Sequence, residues 1–105
     1  MLVKNYSKNK SNLLTELGIN QRTIIRFHKL YDQCPYLSHF QLSVEKHNKN
    51  QFMIEISVSS FDIKFYQFEI SKDINIGFET VTNDLMLQLN IWKKDRFRNT
   101  VQLGA

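Results

Sequence analysis

The sequence predicts an α+β domain of order β-α-β-β-β-α, a four-stranded sheet with two helices packed on one face. Two observations carry this. Residues 38–46, 51–58 and 62–70 alternate apolar and polar side chains, the pattern of strands with one covered face. From Asp73 to Trp92 the apolar residues Ile74, Phe78, Val81, Leu85, Leu89 and Trp92 recur at spacings of four, three, four, four and three, which sets all six on one side of a helix. A helix of about twenty residues is roughly 30 Å long, enough to cross such a sheet.

Leu2 to Tyr6 alternates weakly and reads as an edge strand. From Ser11 the pattern becomes helical, with Leu13, Leu17, Ile24, Phe27 and Tyr31 on one side and Ser11 or Asn12 as cap. Gly18 weakens the middle of this segment by about 1 kcal/mol relative to Ala. Two readings stay open: one continuous helix, or a break between Leu17 and Asn20 with a shorter helix starting at Asn20. On the first reading Arg22, Arg26 and Lys29 point away from the core. Pro35 ends the helix.

In the first central strand Phe40, Leu42 and Val44 face inward. Residues 47–50, HNKN, read as a hairpin loop, and Phe52, Ile54, Ile56 and Val58 resume the inward phase. In the third strand Ile63 and Phe65 take one phase and Phe68 and Ile70 the other, which predicts a bulge near Tyr66 and Gln67. Either Ser71 or Asp73 can cap the last helix. Residues 1–95 then form a single domain, and 96–105 lack periodicity and read as a mobile basic tail.

At 105 residues the chain is sized for one modest core. The single cysteine, Cys34, excludes an internal disulfide and fits a reducing compartment. No apolar run is long enough for a membrane span, and the first residues lack the apolar core of a signal peptide, so the cytoplasm is the expected location. A net charge of +4 favours polyanionic partners, and position matters more than total. Arg22, Arg26 and Lys29 are spaced four and three apart. Lys93, Lys94, Arg96 and Arg98 crowd the end of the long helix, where cations also complement the helix dipole.

Catalysis finds little support. The chain has no GxSxG, Walker loop, GxGxxG or HExxH, and its three glycines leave little for a phosphate-cradling loop. His28, His39 and His47 have no metal-ligand spacing, and Cys34 has no His and acid partner recognisable by spacing. Neither an enzyme nor a cofactor or metal is expected.

Three stretches carry a resemblance. LSVEK, at Leu42 to Lys46, is followed by two strands and then by KDINIGFETVTNDLMLQLNIWKK, at Lys72 to Lys94, while Leu30, Tyr31 and Asp32 close the first helix. In this order and separation they resemble the short ribosome hibernation-promoting factors, also called ribosome-associated inhibitors or sigma-54 modulation proteins. The shared features of the last helix are its acidic opening at Asp73, the apolar-acidic pair Phe78 and Glu79, and the close on Gln88, Leu89 and Lys93. The resemblance implies a non-enzymatic, rRNA-binding factor that occupies the mRNA and tRNA channel of the small ribosomal subunit. There it would inhibit translation or promote hibernation in slow growth, as part of a stress response.

Arg22, Arg26, Lys29, Lys46, Lys93, Lys94, Arg96 and Arg98 are the candidate phosphate contacts. Where the family carries basic residues beside its Gln-Leu pair, this chain has Leu87 and Ile91. The favoured reading is that they widen the core face. The alternative is an exposed apolar patch for a protein partner or a second copy, making the chain a protein interaction module.

Overall fold

The computed structural model describes residues 2–7 and 12–104, with side chains described for 5–7 and 12–96. Four strands, β1 (Leu2–Tyr6), β2 (His39–Asn48), β3 (Gln51–Ser59) and β4 (Lys64–Ser71), form one antiparallel sheet in the order β1-β2-β3-β4. Three helices complete the fold: α1 (Asn12–Glu16), α2 (Gln21–Gln33) and α3 (Ile74–Gly104). The class is α+β, as predicted, with three helices where the order β-α-β-β-β-α has two.

Of the two readings at Gly18, the break is the one adopted. Gly18 takes a φ of 87°, a conformation that costs glycine nothing. Asn20 then caps α2, its side chain accepting from Thr23 N at 2.9 Å. Asn75 clamps this turn to the start of α3: its Oδ1 accepts from Asn20 N at 2.6 Å and its Nδ2 donates to Gly18 O at 2.8 Å. The break changes the topology. One helix would return the chain to the end of the sheet where β1 began and make β1 and β2 parallel; two helices reverse it twice, and the pair runs antiparallel, Leu2 opposite Val44 and Tyr6 opposite Phe40. Tyr6, at the end of β1, meets His28 of α2, with 2.5 Å between its hydroxyl and Nε2. Burial and the neighbouring Tyr31 push the Tyr6 hydroxyl up to about 12.

The inward stripe of α3 lies on the sheet as its spacing requires. Phe78, Val81, Leu85 and Leu89 are fully buried, together with Phe40, Leu42, Ile54, Ile56 and Val58 from the strands. Phe27 of α2 joins the two layers, its ring packing edge-on against Phe40 and Phe78 at 5.7 and 5.2 Å. Asp73 caps α3 through Oδ1, which accepts from Asn75 N and Ile76 N, and Ser71 Oγ in turn accepts from Asp73 N. Gly77 is the point of closest approach: a Cβ there would overlap Ile54 Cδ1 and come within 2.9 Å of Ser71 Cβ. Gly77→Ala is therefore expected to lower stability by about 1–3 kcal/mol through overpacking, read as a lower denaturant midpoint; an unchanged midpoint would mean that α3 sits further from the sheet.

Two local expectations are corrected. Pairing of β3 with β4 is continuous from Phe52 opposite Ser71 to Ser59 opposite Lys64, so there is no bulge at Tyr66 and Gln67. Gln67 keeps the inward phase because it finds a partner there, donating to Gln88 Oε1 of α3 at 3.2 Å, and Phe68 and Ile70 fall on the open face. The irregularity lies instead between Lys46 and Asn48, beside the hairpin. Second, residues 96–104 are helical where an aperiodic tail is expected. No Pro or Gly lies between Gly77 and Gly104, so the hydrogen-bonded ladder has no local reason to stop.

Candidate nucleic-acid interface on the outer side of the helices

Helices α2 and α3 lie side by side and point the same way. Asn20 meets Asn75 at their starts, Arg26 meets Glu79 further along, and Lys93 Nζ donates to Gln33 Oε1 at 3.2 Å where α2 ends. Their outer sides form one surface. Two turns of α2 carry Arg22 and Lys29, both exposed, about 10 Å apart along the axis. Lys94 is exposed on α3, and Lys93 lies between the helices at the α2 end. No hydrogen bond or ion pair engages Arg22, Lys29 or Lys94 among the described residues.

The other predicted cations behave differently. Arg26 does not reach out freely: its Nη1 donates to Glu79 Oε1 at 2.7 Å, a helix-to-helix ion pair whose side chains are 41% and 38% exposed. At that exposure the pair is worth about 0–1 kcal/mol, and it neutralises Arg26 as a phosphate contact. Lys93 sits where the α2 carbonyls end, so its charge also complements that helix terminus. Arg96 lies over the Trp92 ring, 5.2 Å from its centroid. The Arg98 side chain falls outside the described residues.

Lys46 is separated from the rest. It is exposed beside the β2–β3 hairpin, the end of the sheet where α3 begins, whereas Lys93 and Lys94 lie toward the opposite end. It cannot assist them in one contact patch. The 31 residues of α3 span about 46 Å against roughly 33 Å for the 10 residues of β2. The helix is therefore longer than the sheet, while Lys93 and Lys94, about 30 Å from its start, lie level with the end of α2.

Leu87 and Ile91 do not widen the core face. They are 60% and 52% exposed, on the side of α3 opposite its buried stripe. Two apolar side chains one turn apart fall short of the several hundred Å² that, by order of magnitude, marks an interface. They lie on the same ridge as Lys94.

The opposite face of the sheet has a contrary character. It presents Glu45 and Glu55 beside exposed Tyr66 and Phe68. Tyr66 donates to Glu55 Oε2 at 2.6 Å, and that hydrogen bond raises the Tyr66 hydroxyl above its ordinary value. The two carboxylates share this face with the exposed Lys64, so among the described residues it offers phosphates one cation against two anions. The alternation put Phe68 in the phase opposite to Ile63 and Phe65, as found, and the bulge expected at Tyr66 and Gln67 is what obscured the aromatic pair.

Cys34 is half-buried at the end of α2. Burial pushes its thiol up to about 11, with Lys93 pulling in the other direction, so it is protonated at neutral pH and a poor nucleophile. Among the described residues no cluster of three or more His, Cys, Asp or Glu could hold a metal ion, and no helix is long and apolar enough to cross a membrane. Comparison of the chain with protein-family models, with characterised proteins and with solved structures finds no match.

Proposed function

We propose that this chain is a non-enzymatic factor that docks the outer side of α2 and α3 on RNA of the small ribosomal subunit. It would act in the cytoplasm, in the channel used by mRNA and tRNA, and so inhibit translation or hold ribosomes in hibernation in slow growth. One observation carries the reading: Arg22, Lys29 and Lys94 stand exposed on the side where the two helices lie together, opposite a sheet face with carboxylates. The resemblance of residues 42–46 and 72–94 to hibernation-promoting factors supports it. The physical logic is simple. A domain that needs only to occupy a cleft requires a rigid core and cations in fixed positions, because phosphate contacts position a protein on RNA.

The alternative is an interaction module that binds a protein partner or a second copy through the exposed Leu87 and Ile91 of α3. Co-sedimentation with purified small subunits separates the two. On the leading reading the wild-type protein pellets with the subunits, and a Leu87→Asp, Ile91→Asp variant pellets with them too. Loss of pelleting by that variant alone, with the Arg22 and Lys29 variants unaffected, favours the interaction module.

A further inference from the structure

At the end of α2 the chain turns into β2 through Cys34 to Ser38 and leaves a cleft of about 440 Å³, within the range that holds small ligands. Its lining includes three aromatic residues beside Asp32, Ser38 and His39. Tyr31 and Phe40 pack with ring centroids 4.8 Å apart, and Tyr36 stands on the rim, 91% exposed. Leu37 beside it holds a φ of 67°, a left-handed conformation that residues with a Cβ rarely adopt and that tends to persist at working sites. An exposed tyrosine on a strained turn, next to packed aromatic rings, is a stacking surface rather than a piece of core.

Two further features say what would stack there. Asp32 is among the residues that line the cleft, and a carboxylate suits N–H donors and disfavours a phosphate inside it. Lys93, held against Gln33 and acting on Cys34, sets a cation beside the opening. A flat ring with N–H groups inside and an anion outside is the description of one nucleotide.

We infer that this cleft takes an unpaired nucleobase, stacked on Tyr36, with its phosphate on Lys93. The inference rests on the proposed RNA-binding reading and deepens it. Recognition of RNA commonly works on splayed single-stranded bases stacked against aromatic side chains, so the α2–α3 surface would hold the backbone while the cleft holds one base.

The test uses the full chain and three probes: small ribosomal subunits, single-stranded RNA hexamers of adenosine or uridine, and free adenosine. Tyr36→Ala is expected to weaken hexamer and subunit binding roughly tenfold, the usual order for one stacked base, while Tyr36→Phe retains wild-type binding because stacking needs the ring alone. The salt dependence of binding should be unchanged in Tyr36→Ala and shallower in Lys93→Ala. Circular dichroism checks that both variants fold, as the exposure of Tyr36 leads one to expect. Subunit binding that is insensitive to Tyr36→Ala overturns the base site and leaves the ribosome reading standing. Tyr36-dependent hexamer binding without subunit binding supports the base site and overturns the ribosome reading. Binding of free adenosine but not of hexamers overturns the RNA assignment in favour of a small-molecule site, and the absence of binding to all three probes overturns both.

Discussion

Phe78→Ala is expected to cost about 3–5 kcal/mol, the range for truncating a buried aromatic residue. Phe78 is fully buried and its ring meets Phe27 edge-on at 5.2 Å, so the substitution empties the place where α2, α3 and the sheet meet. That is a large share of the roughly 5–15 kcal/mol available to a domain of this kind. Denaturant unfolding should show the midpoint falling steeply, with near-ultraviolet dichroism lost first if the helices loosen before the sheet. An unchanged midpoint would remove Phe78 from the core and with it the packing of both helices on one face.

Reversing Arg22, Lys29 and Lys94 to Glu is expected to abolish binding to the small subunit while the domain stays folded. All three are exposed, and exposed substitutions usually change stability by less than about 0.5 kcal/mol. If each makes one charge-assisted contact worth about 1.5 kcal/mol, losing all three weakens binding by about 10³-fold. Arg26 is left out by design. Placing a carboxylate there would set it against Glu79 and destabilise the helix pair, which would confuse lost binding with lost structure. Normal binding by the triple variant would end the case for this surface.

Much of the fold was legible because single elements declare themselves. The α3 stripe from Phe78 to Leu89 is buried as its spacing predicts, and the strand residues Phe40, Leu42, Ile54, Ile56 and Val58 are buried by simple alternation. What failed depended on partners distant in sequence. Gln67 holds an inward position only because Gln88 of α3 receives it, so the phase change at Phe68 looked like a bulge. Gly18 offered both a continuous helix and a break, and Asn75, 57 residues away, secures the break.

The candidate site was legible as a set of cations and not as a surface. Arg26 and Glu79 are 53 residues apart, and nothing local says that they pair. Lys46 and Lys93 look equivalent in a list of charges, yet the antiparallel hairpin and the direction of α3 send them to opposite ends of the sheet. Leu87 and Ile91 lie opposite the Phe78 to Leu89 stripe by helical spacing, so their exposure was legible in the sequence and the wider core face was the wrong choice.

The central claim is that the outer side of α2 and α3 binds ribosomal RNA through phosphates, and the salt dependence of binding to purified small subunits tests it most directly. The account predicts that the wild-type dissociation constant rises steeply with salt, and that the logarithmic slope falls by about three in the Arg22, Lys29 and Lys94 reversal, roughly one for each contact removed. A dissociation constant that barely changes with salt, or a slope identical in the two proteins, would contradict it.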